Sequence, residues 1–163
     1  RDQLRPALER IAAESGDTVY LYQYSGLETV CIDRIDGVTQ LRPAALDIGG
    51  RRPLGFGAVG VAMLATVTEA RAEEVLKALD REIENHPRVT RNGIVRAVNA
   101  ARSNGYAFVR DTTVLGVGGV GVVLPAKAGR PMLGLSIATS SERLSAARIQ
   151  QLANILIAAR PRL

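Results

Sequence analysis

Three glycines within six residues lead directly into a helix-forming run, and this feature constrains both the fold and the chemistry of the chain. The run extends from Gly55 to Gly60 and continues into Val-Ala-Met-Leu-Ala. A helix that begins on glycine and alanine leaves its first backbone N–H groups without side-chain partners. Those donors and the positive end of the helix dipole predict a site for a small anion, such as a carboxylate or a phosphate.

The glycine spacing also matches the dinucleotide fingerprint G-x-G-x-x-G, which needs a strand before the loop and a parallel strand after the helix. Residues 49–54 do not form a buried strand pattern, and residues 68–84 are charged with a helical period. A second match, at 116–121, runs into a strand, where a pyrophosphate would need a helix. We therefore expect no cofactor. A packing role for the first glycines, with helix backbones in close approach, stays open.

Composition indicates one globular domain over residues 1–163. Of the 163 residues, 47% are hydrophobic, yet no apolar run reaches the roughly 18 residues of a membrane span. We therefore expect no membrane partner. Cys31 is the only cysteine, which excludes an internal disulfide and fits the cytoplasm.

The charge pattern does not indicate that this domain reads DNA. The net charge is +5 and the chain has no Trp and two Phe, so stacking platforms for bases are scarce. Arginines are scattered rather than clustered. The chain begins inside a helical pattern without an initiator Met, so we expect a further domain upstream.

Periodicity and turn residues predict an α+β fold, with an antiparallel sheet flanked by helices. We expect a helix over 2–14 that ends near Gly16, and later helices capped by Thr68, Thr90 and Ser145. Val19 and Leu21 should face away from the tyrosines of the first strand. The remaining predicted elements are strands at 18–25, 28–35, 106–111, 117–124 and 132–139, an allowed short strand near 40–46, and helices at 57–67, 69–79 and 80–85.

The sequence shows no catalytic set. His86, the sole candidate base for Cys31, lies far away in a predicted loop, so a buried, inert thiol is the better interpretation. Ser136 is in the middle of a strand and lacks a nucleophile elbow. No cluster has metal-ligand spacing. Asp111, at a strand end, either faces a pocket or is solvated. We therefore do not expect an enzyme.

Two further features each allow more than one interpretation. Tyr20, Tyr22 and Tyr24 form a stripe that is typical of a half-buried sheet face and less often of a ligand cage or an interface. Arg51 and Arg52 precede the glycine run, where they either steer an anion inward or remain solvated.

The order of several short motifs resembles the C-terminal effector-binding domain of IclR-type bacterial transcriptional regulators over essentially the whole chain. The matching segments are GDTVYL at 16–21, VCIDRI at 30–35, LRP at 41–43, IGGRRPL at 48–54, GVAMLA at 60–65, GYA at 105–107, GVGGVGVVLP at 116–125 and LGLSI at 133–137. The specificity lies in their order and spacing together.

The resemblance implies a GAF-like fold and an upstream winged helix-turn-helix domain through which the full-length protein binds DNA. It also implies homodimers or homotetramers, and a pocket for a small effector, an organic or aromatic acid. By position, the pocket would draw on the helix start and on four neighbouring segments. The residues concerned are Leu41, Leu46, Gly57, Ala58, Val59, Val109, Asp111, Gly119, Ser136 and Ala138.

Four positions depart from the family pattern, because Gly57, Val61, Val109 and Ala138 stand where relatives carry polar or charged groups. We hypothesise a less polar pocket that takes a larger or more apolar ligand than a glyoxylate-sized acid. The leading function is ligand-responsive control of transcription. The alternatives are an oligomerisation domain with a vestigial pocket and, with less support, a small-acid enzyme.

Overall fold

Six antiparallel strands form one sheet that carries helices on both faces. The computed structural model describes residues 2–39 and 46–160. The strands are β1 (Thr18–Ser25), β2 (Glu28–Ile35), β3 (Arg51–Pro53), β4 (Ala107–Arg110), β5 (Val117–Val123) and β6 (Leu133–Ser140), in the order β3-β2-β1-β6-β5-β4. The helices are α1 (Arg5–Ser15), α2 (Ala58–Ala65), α3 (Glu69–Ala78), α4 (Asp80–Asn85), α5 (Arg91–Asn104) and α6 (Ala146–Ala159). The predicted α+β class and GAF-like architecture are confirmed.

The alternation of side chains along β1 divides the core into two parts, as predicted. Val19 and Leu21 pack in a cluster with residues of α1 and α6. Tyr20 and Tyr22 point to the other face and pack in a cluster with residues of α2, α3 and α5. Because successive side chains of a strand lie on opposite faces, one strand contributes to both cores.

The helix boundaries follow local capping chemistry. The hydroxyl oxygens of Thr68, Thr90 and Ser145 each accept a hydrogen bond from the backbone N–H three residues later, at 3.0–3.1 Å. Gly16 and Gly105 end α1 and α5 in the left-handed conformation, with φ of 74° and 78°. A side-chain N-cap contributes about 1 kcal/mol to helix stability, so these predicted boundaries have a clear physical origin.

Most predicted bounds lie within two residues of the observed ones, and two differences are larger. Arg51–Pro53 pairs with β2 as a three-residue edge strand, which is too short for a period-2 pattern to reveal. The first helix begins at Arg5 rather than at residue 2, because Pro6 occupies the first turn, where it is favoured. The strand allowed near 40–46 falls almost wholly outside the described residues.

Helix α2 lies very close to the sheet because glycines face it. A Cβ placed on Gly121 of β5 would lie 2.7 Å from the carbonyl carbon of Ala58 and 2.8 Å from the nitrogen of Val59. A Cβ on Gly60 would lie 2.6 Å from the nitrogen of Gly55. The packing role left open for the glycine run is therefore present, and it brings the first turn of α2 against the middle of β5.

We predict that Gly121→Ala lowers the free energy of unfolding by about 1–3 kcal/mol, the usual cost of overpacking, because the new methyl group meets backbone atoms that cannot rotate away. Urea unfolding followed by circular dichroism measures this loss. Gly119→Ala is the matched control on the same face of β5. A Cβ there would lie 3.0 Å from one backbone oxygen, and the next nearest atom would be 3.7 Å away. Equal losses for the two variants would show that the approach of α2 is not the cause.

Candidate functional site

The first turn of α2 carries backbone donors that the helix does not use. Gly57 is the N-cap residue, with extended backbone angles and no capping side chain. The first intrahelical hydrogen bond runs from the N–H of Val61 to the carbonyl of Gly57, at 3.0 Å. Helix geometry therefore leaves the N–H groups of Ala58, Val59 and Gly60 without a partner inside the helix.

A cavity lies beside this helix start, and we call it the α2 cavity. Its volume is about 50 Å³, enough for roughly four water molecules at 10–15 Å³ each. Each of the six strands contributes at least one wall residue, and the residue from β3 is the charged Arg52. The described residues that line it are Tyr20, Tyr22, Thr29, Arg52, Gly57, Ala58, Val59, Gly60, Val109, Thr113, Val114, Val117, Gly118, Gly119, Ser136 and Ala138.

Arg52 supplies the positive charge at the α2 cavity. It lies on β3 opposite Thr29, and its guanidinium is near enough to Tyr22 to favour the phenolate form of that side chain. Arg51, its neighbour, is exposed and donates hydrogen bonds to Glu28 at 2.7 Å and to Ser25 at 3.0 Å. Alternation along β3 thus places Arg52 at the cavity and leaves Arg51 in solvent.

Two buried tyrosines supply hydroxyl groups on the sheet side of the cavity. The rings of Tyr20 and Tyr22 stack with centroids 5.8 Å apart, and the hydroxyls of Tyr22 and Ser136 are within hydrogen-bonding reach. Burial raises the pKa of both phenols above the usual value of 10, against the opposing charges of Arg34 and Arg52. Both tyrosines are therefore protonated at neutral pH and can donate hydrogen bonds.

Most of the predicted site residues line the α2 cavity. The structure brings together Gly57, Ala58, Val59, Val109, Gly119, Ser136 and Ala138. Leu46 is not among the lining residues, although its backbone is within hydrogen-bonding reach of the Tyr20 hydroxyl. Leu41 lies outside the described residues.

Asp111 is not placed at the α2 cavity, which corrects the expectation that it faces the pocket. It adopts a left-handed conformation, with φ of 55°, directly after β4. Its carboxylate accepts hydrogen bonds from the N–H of Gly116 at 2.7 Å and from the hydroxyl of Ser141 at 2.6 Å. These hydrogen bonds lower the pKa of Asp111. The side chain stabilises the turn between β4 and β5, because a carboxylate at a strand end can satisfy turn N–H groups.

Sequence reasoning did not include Arg52, Tyr20 and Tyr22 in the site, although it had singled out all three. The stripe pattern showed that the tyrosines share a face, but a buried sheet face and a pocket wall have the same period. In this fold the buried sheet face and the pocket wall are the same surface, because the cavity lies within the core on the α2 side of the sheet. Thr29 and Thr113 gave no signal in the sequence.

The side chains that resembled catalytic groups are apart. The sulfur of Cys31 contacts the carbonyl of Asp33 at 3.5 Å, and burial raises the pKa of this thiol to about 11. His86 packs edge-to-face on Phe56, and its Nδ1 accepts hydrogen bonds from two backbone N–H groups. Within residues 2–39 and 46–160, no three potential metal-ligating side chains cluster.

Comparison with known proteins decides the family. Residues 1–162 match the sequence profile described as bacterial transcriptional regulator IclR C-terminal. The chain belongs to this IclR family. The resemblance inferred from the motifs is therefore confirmed, and the family consists of transcriptional regulators rather than enzymes.

Individual relatives agree with this assignment. The acetate operon repressor of Salmonella typhimurium (strain LT2) is 25% identical over 159 residues, which is 96% of this chain and 58% of the repressor. The Thermotoga maritima IclR structure superposes with a TM-score of 0.87 at 26% identity, covering 99% of this chain and 65% of that one. An IclR family regulator from Brucella abortus gives 0.82 at 26% identity, with 99% and 61% covered. The chain thus spans about three-fifths of the length of these relatives.

One property of the described helices bears on location. In the part of the chain that the structure describes, no helix has both the length and the apolar character that crossing a bilayer requires.

The burial of Cys31 gives a testable consequence. We predict that iodoacetamide alkylates this thiol at least about a hundredfold more slowly in the folded protein than in urea at pH 8. The shift of its pKa from 9.0 to about 11 reduces the thiolate fraction by that factor. Intact mass spectrometry over time measures the rates. Rapid labelling of the folded protein would show that Cys31 is reachable, which would contradict an inert core thiol.

Proposed function

We propose that this domain is the ligand-sensing part of an IclR-type transcriptional regulator, and that it binds a small organic acid in the α2 cavity. The observation that carries the proposal is the coincidence of three anion-binding features in one hollow. Ala58 and Val59 offer helix-start N–H groups, Arg52 adds a positive charge, and Tyr22 with Ser136 adds hydroxyl groups. A carboxylate is the ligand group that all three would stabilise.

The size of the cavity defines the class of acid. A volume of about 50 Å³ suits a ligand of few heavy atoms. This favours a short acid over the bulkier, more apolar ligand suggested by the departures at Gly57, Val61, Val109 and Ala138. The wall of the cavity still carries polar groups from the strands, chiefly Arg52 and the two tyrosines. The pocket is therefore not apolar.

Control of transcription then requires that the acid bind one arrangement of the full-length protein better than another, because a ligand shifts an equilibrium only by its differential affinity. We infer that an upstream winged helix-turn-helix domain contacts DNA. We also infer that the full-length protein is a homodimer or homotetramer, and that the acid changes the arrangement of its subunits. The incomplete coverage of the relatives, about three-fifths of their length, supports a regulator with a further domain.

The competing function is an oligomerisation domain whose cavity is vestigial, and the small volume of the cavity is the observation that favours it. Thermal denaturation with a panel of short acids and with benzoate distinguishes the two. A ligand at a hundred times its Kd adds about 2.7 kcal/mol to the unfolding free energy. If no acid in the panel raises the Tm, the vestigial interpretation is correct.

We predict that Arg52→Gln weakens the binding of the best short acid by about tenfold or more, because a hydrogen bond to a charged group contributes about 1.5–3 kcal/mol. Isothermal titration calorimetry measures this change. Arg51→Gln is the matched control. It removes the same charge from the neighbouring residue, whose side chain is exposed and pairs with Glu28. Equal weakening by both variants would show that general charge, and not contact at the cavity, attracts the acid.

We also predict that Ser136→Ala weakens binding by about fivefold or more while the protein stays folded. The substitution removes a buried hydroxyl from the sheet side of the cavity, which leaves part of the acid unpaired at a cost of about 1–3 kcal/mol. Calorimetry and circular dichroism test the two parts of this statement. Unchanged affinity would remove Ser136 from the binding site.

A further inference from the structure

A second cavity lies against the opposite face of the sheet, between α1 and the loop that joins β5 to β6. Its volume is about 330 Å³, compared with about 50 Å³ for the α2 cavity, and no described residue lines both. This size falls within the 300–1,000 Å³ typical of sites for small organic molecules. We call it the basic groove, after the rim described below.

The floor of the basic groove is apolar. Leu124 is buried, and Leu4 and Leu133 are partly buried against the core formed by α1, α6 and the sheet. Ala7 completes the floor, and Met132 lines the groove while it packs against the core on the other face of the sheet. A hydrocarbon body lying here would remove its own surface and that of the leucines from water, at about 25 cal/mol per Å² of apolar area.

The rim of the groove is positively charged. Arg10 on α1 faces Lys127 and Arg130 of the loop, and no carboxylate lines the groove among the described residues. The N–H of Arg130 donates to the carbonyl of Lys127 at 3.0 Å, and Gly129 between them has φ of 71°. This tight turn brings the backbones of the two loop residues close together.

The groove has walls that resist collapse. Pro6, Pro125 and Pro131 line it, and proline fixes its own φ and offers no N–H group. A rigid wall without donors favours apolar contact, so polar recognition falls to the cations of the rim. Neither Arg10 nor Arg130 forms an ion pair with a carboxylate of the described residues, whereas eight of the other fourteen described arginines do.

We propose that the basic groove binds an amphipathic monocarboxylate, such as a medium-chain fatty acid. The hydrocarbon body lies over Leu4, Leu124 and Leu133, and the carboxylate lies at the rim between Arg10 and Arg130. This inference goes beyond the proposed sensing of short acids, and it stands independently because the two cavities share no described residue. A short acid lacks the body to cover the floor, and a neutral lipid lacks the charge to pair with the rim.

The methionines provide a direct test of location, because the chain contains two of them. Met132 lines the basic groove and also packs against the core on the α2 side of the sheet, whereas Met63 is a buried residue of α2 that lines neither cavity. Decanoate, below its micellar concentration, is titrated into protein labelled at the methionine methyl groups. We expect the Met132 signal to shift and saturate while the Met63 signal changes little. The Met132→Leu variant identifies the signals.

The contribution of the rim is tested by charge-neutral substitution. We expect Arg10→Gln combined with Arg130→Gln to raise the Kd for decanoate by about tenfold, the effect of losing two exposed ion pairs. Arg81→Gln combined with Arg96→Gln is the matched control, because it removes two equally exposed charges from α4 and α5, away from the groove. Its Kd should remain within about twofold of the parent value.

Four outcomes would overturn the proposal. The first is that decanol binds as tightly as decanoate, which would mean that the apolar floor alone recruits the ligand. The second is that the Met63 signal responds and the Met132 signal does not, which would place the ligand away from the basic groove. The third is that both double variants weaken binding equally. The fourth is that decanoate does not bind, while light scattering shows that the groove variant alone changes the molecular mass, which would mean that a second copy covers the groove.

Discussion

The approach of the first turn of α2 to the middle of β5 is the contact on which the candidate site depends. Gly121 permits this approach, since any larger residue would place a Cβ within 2.9 Å of three backbone atoms of the helix start. The approach places Ala58 and Val59 in the lining of the same cavity as Tyr22 and Ser136. Donors from a helix and hydroxyls from a sheet therefore meet in one small cavity, and both are fixed before a ligand binds.

The polar character of the α2 cavity comes from strands rather than from the helix start itself. The helix contributes backbone groups alone, because Gly57, Ala58 and Val59 have no polar side chains. Charge comes instead from Arg52 at the sheet edge, where β3 is short enough to leave the guanidinium half-buried rather than enclosed. A half-buried cation keeps much of its hydration, so it can pair with an incoming anion without the large desolvation cost of a buried charge.

Local chemistry made most of the fold predictable from the sequence. Period and capping residues gave the helices and five of the six strands, and the resemblance to a known family placed Val109, Gly119, Ser136 and Ala138 near the helix start. The misses have a common origin in contacts between distant residues. The carboxylate of Asp17, for example, is buried and pairs with Arg148, 131 positions away, at 2.6 Å. Nothing in the local pattern at either residue indicates that pairing.

Asp111 illustrates the same limit at the site. Its position at a strand end was correctly identified, but the direction of its side chain depends on a hydrogen bond to Ser141 in the 3-10 helix Ser141–Arg143, which follows β6. A carboxylate that already accepts two hydrogen bonds is stabilised as an anion. It would repel an acidic ligand if it faced the cavity. Engagement in the turn therefore keeps this carboxylate out of the lining of the cavity.

Helix α2 also provides a physical connection between the two cavities. Its N-terminal turn lines the α2 cavity, and Thr66, the residue that follows the helix, lies 3.9 Å from the sulfur of Met132 at the basic groove. A helix of eight residues is about 12 Å long and moves as one body, because its backbone hydrogen bonds link every turn. Coupling of two sites requires an element with two arrangements that both ligands bias, and α2 is the helix that lines one cavity and ends beside a residue of the other.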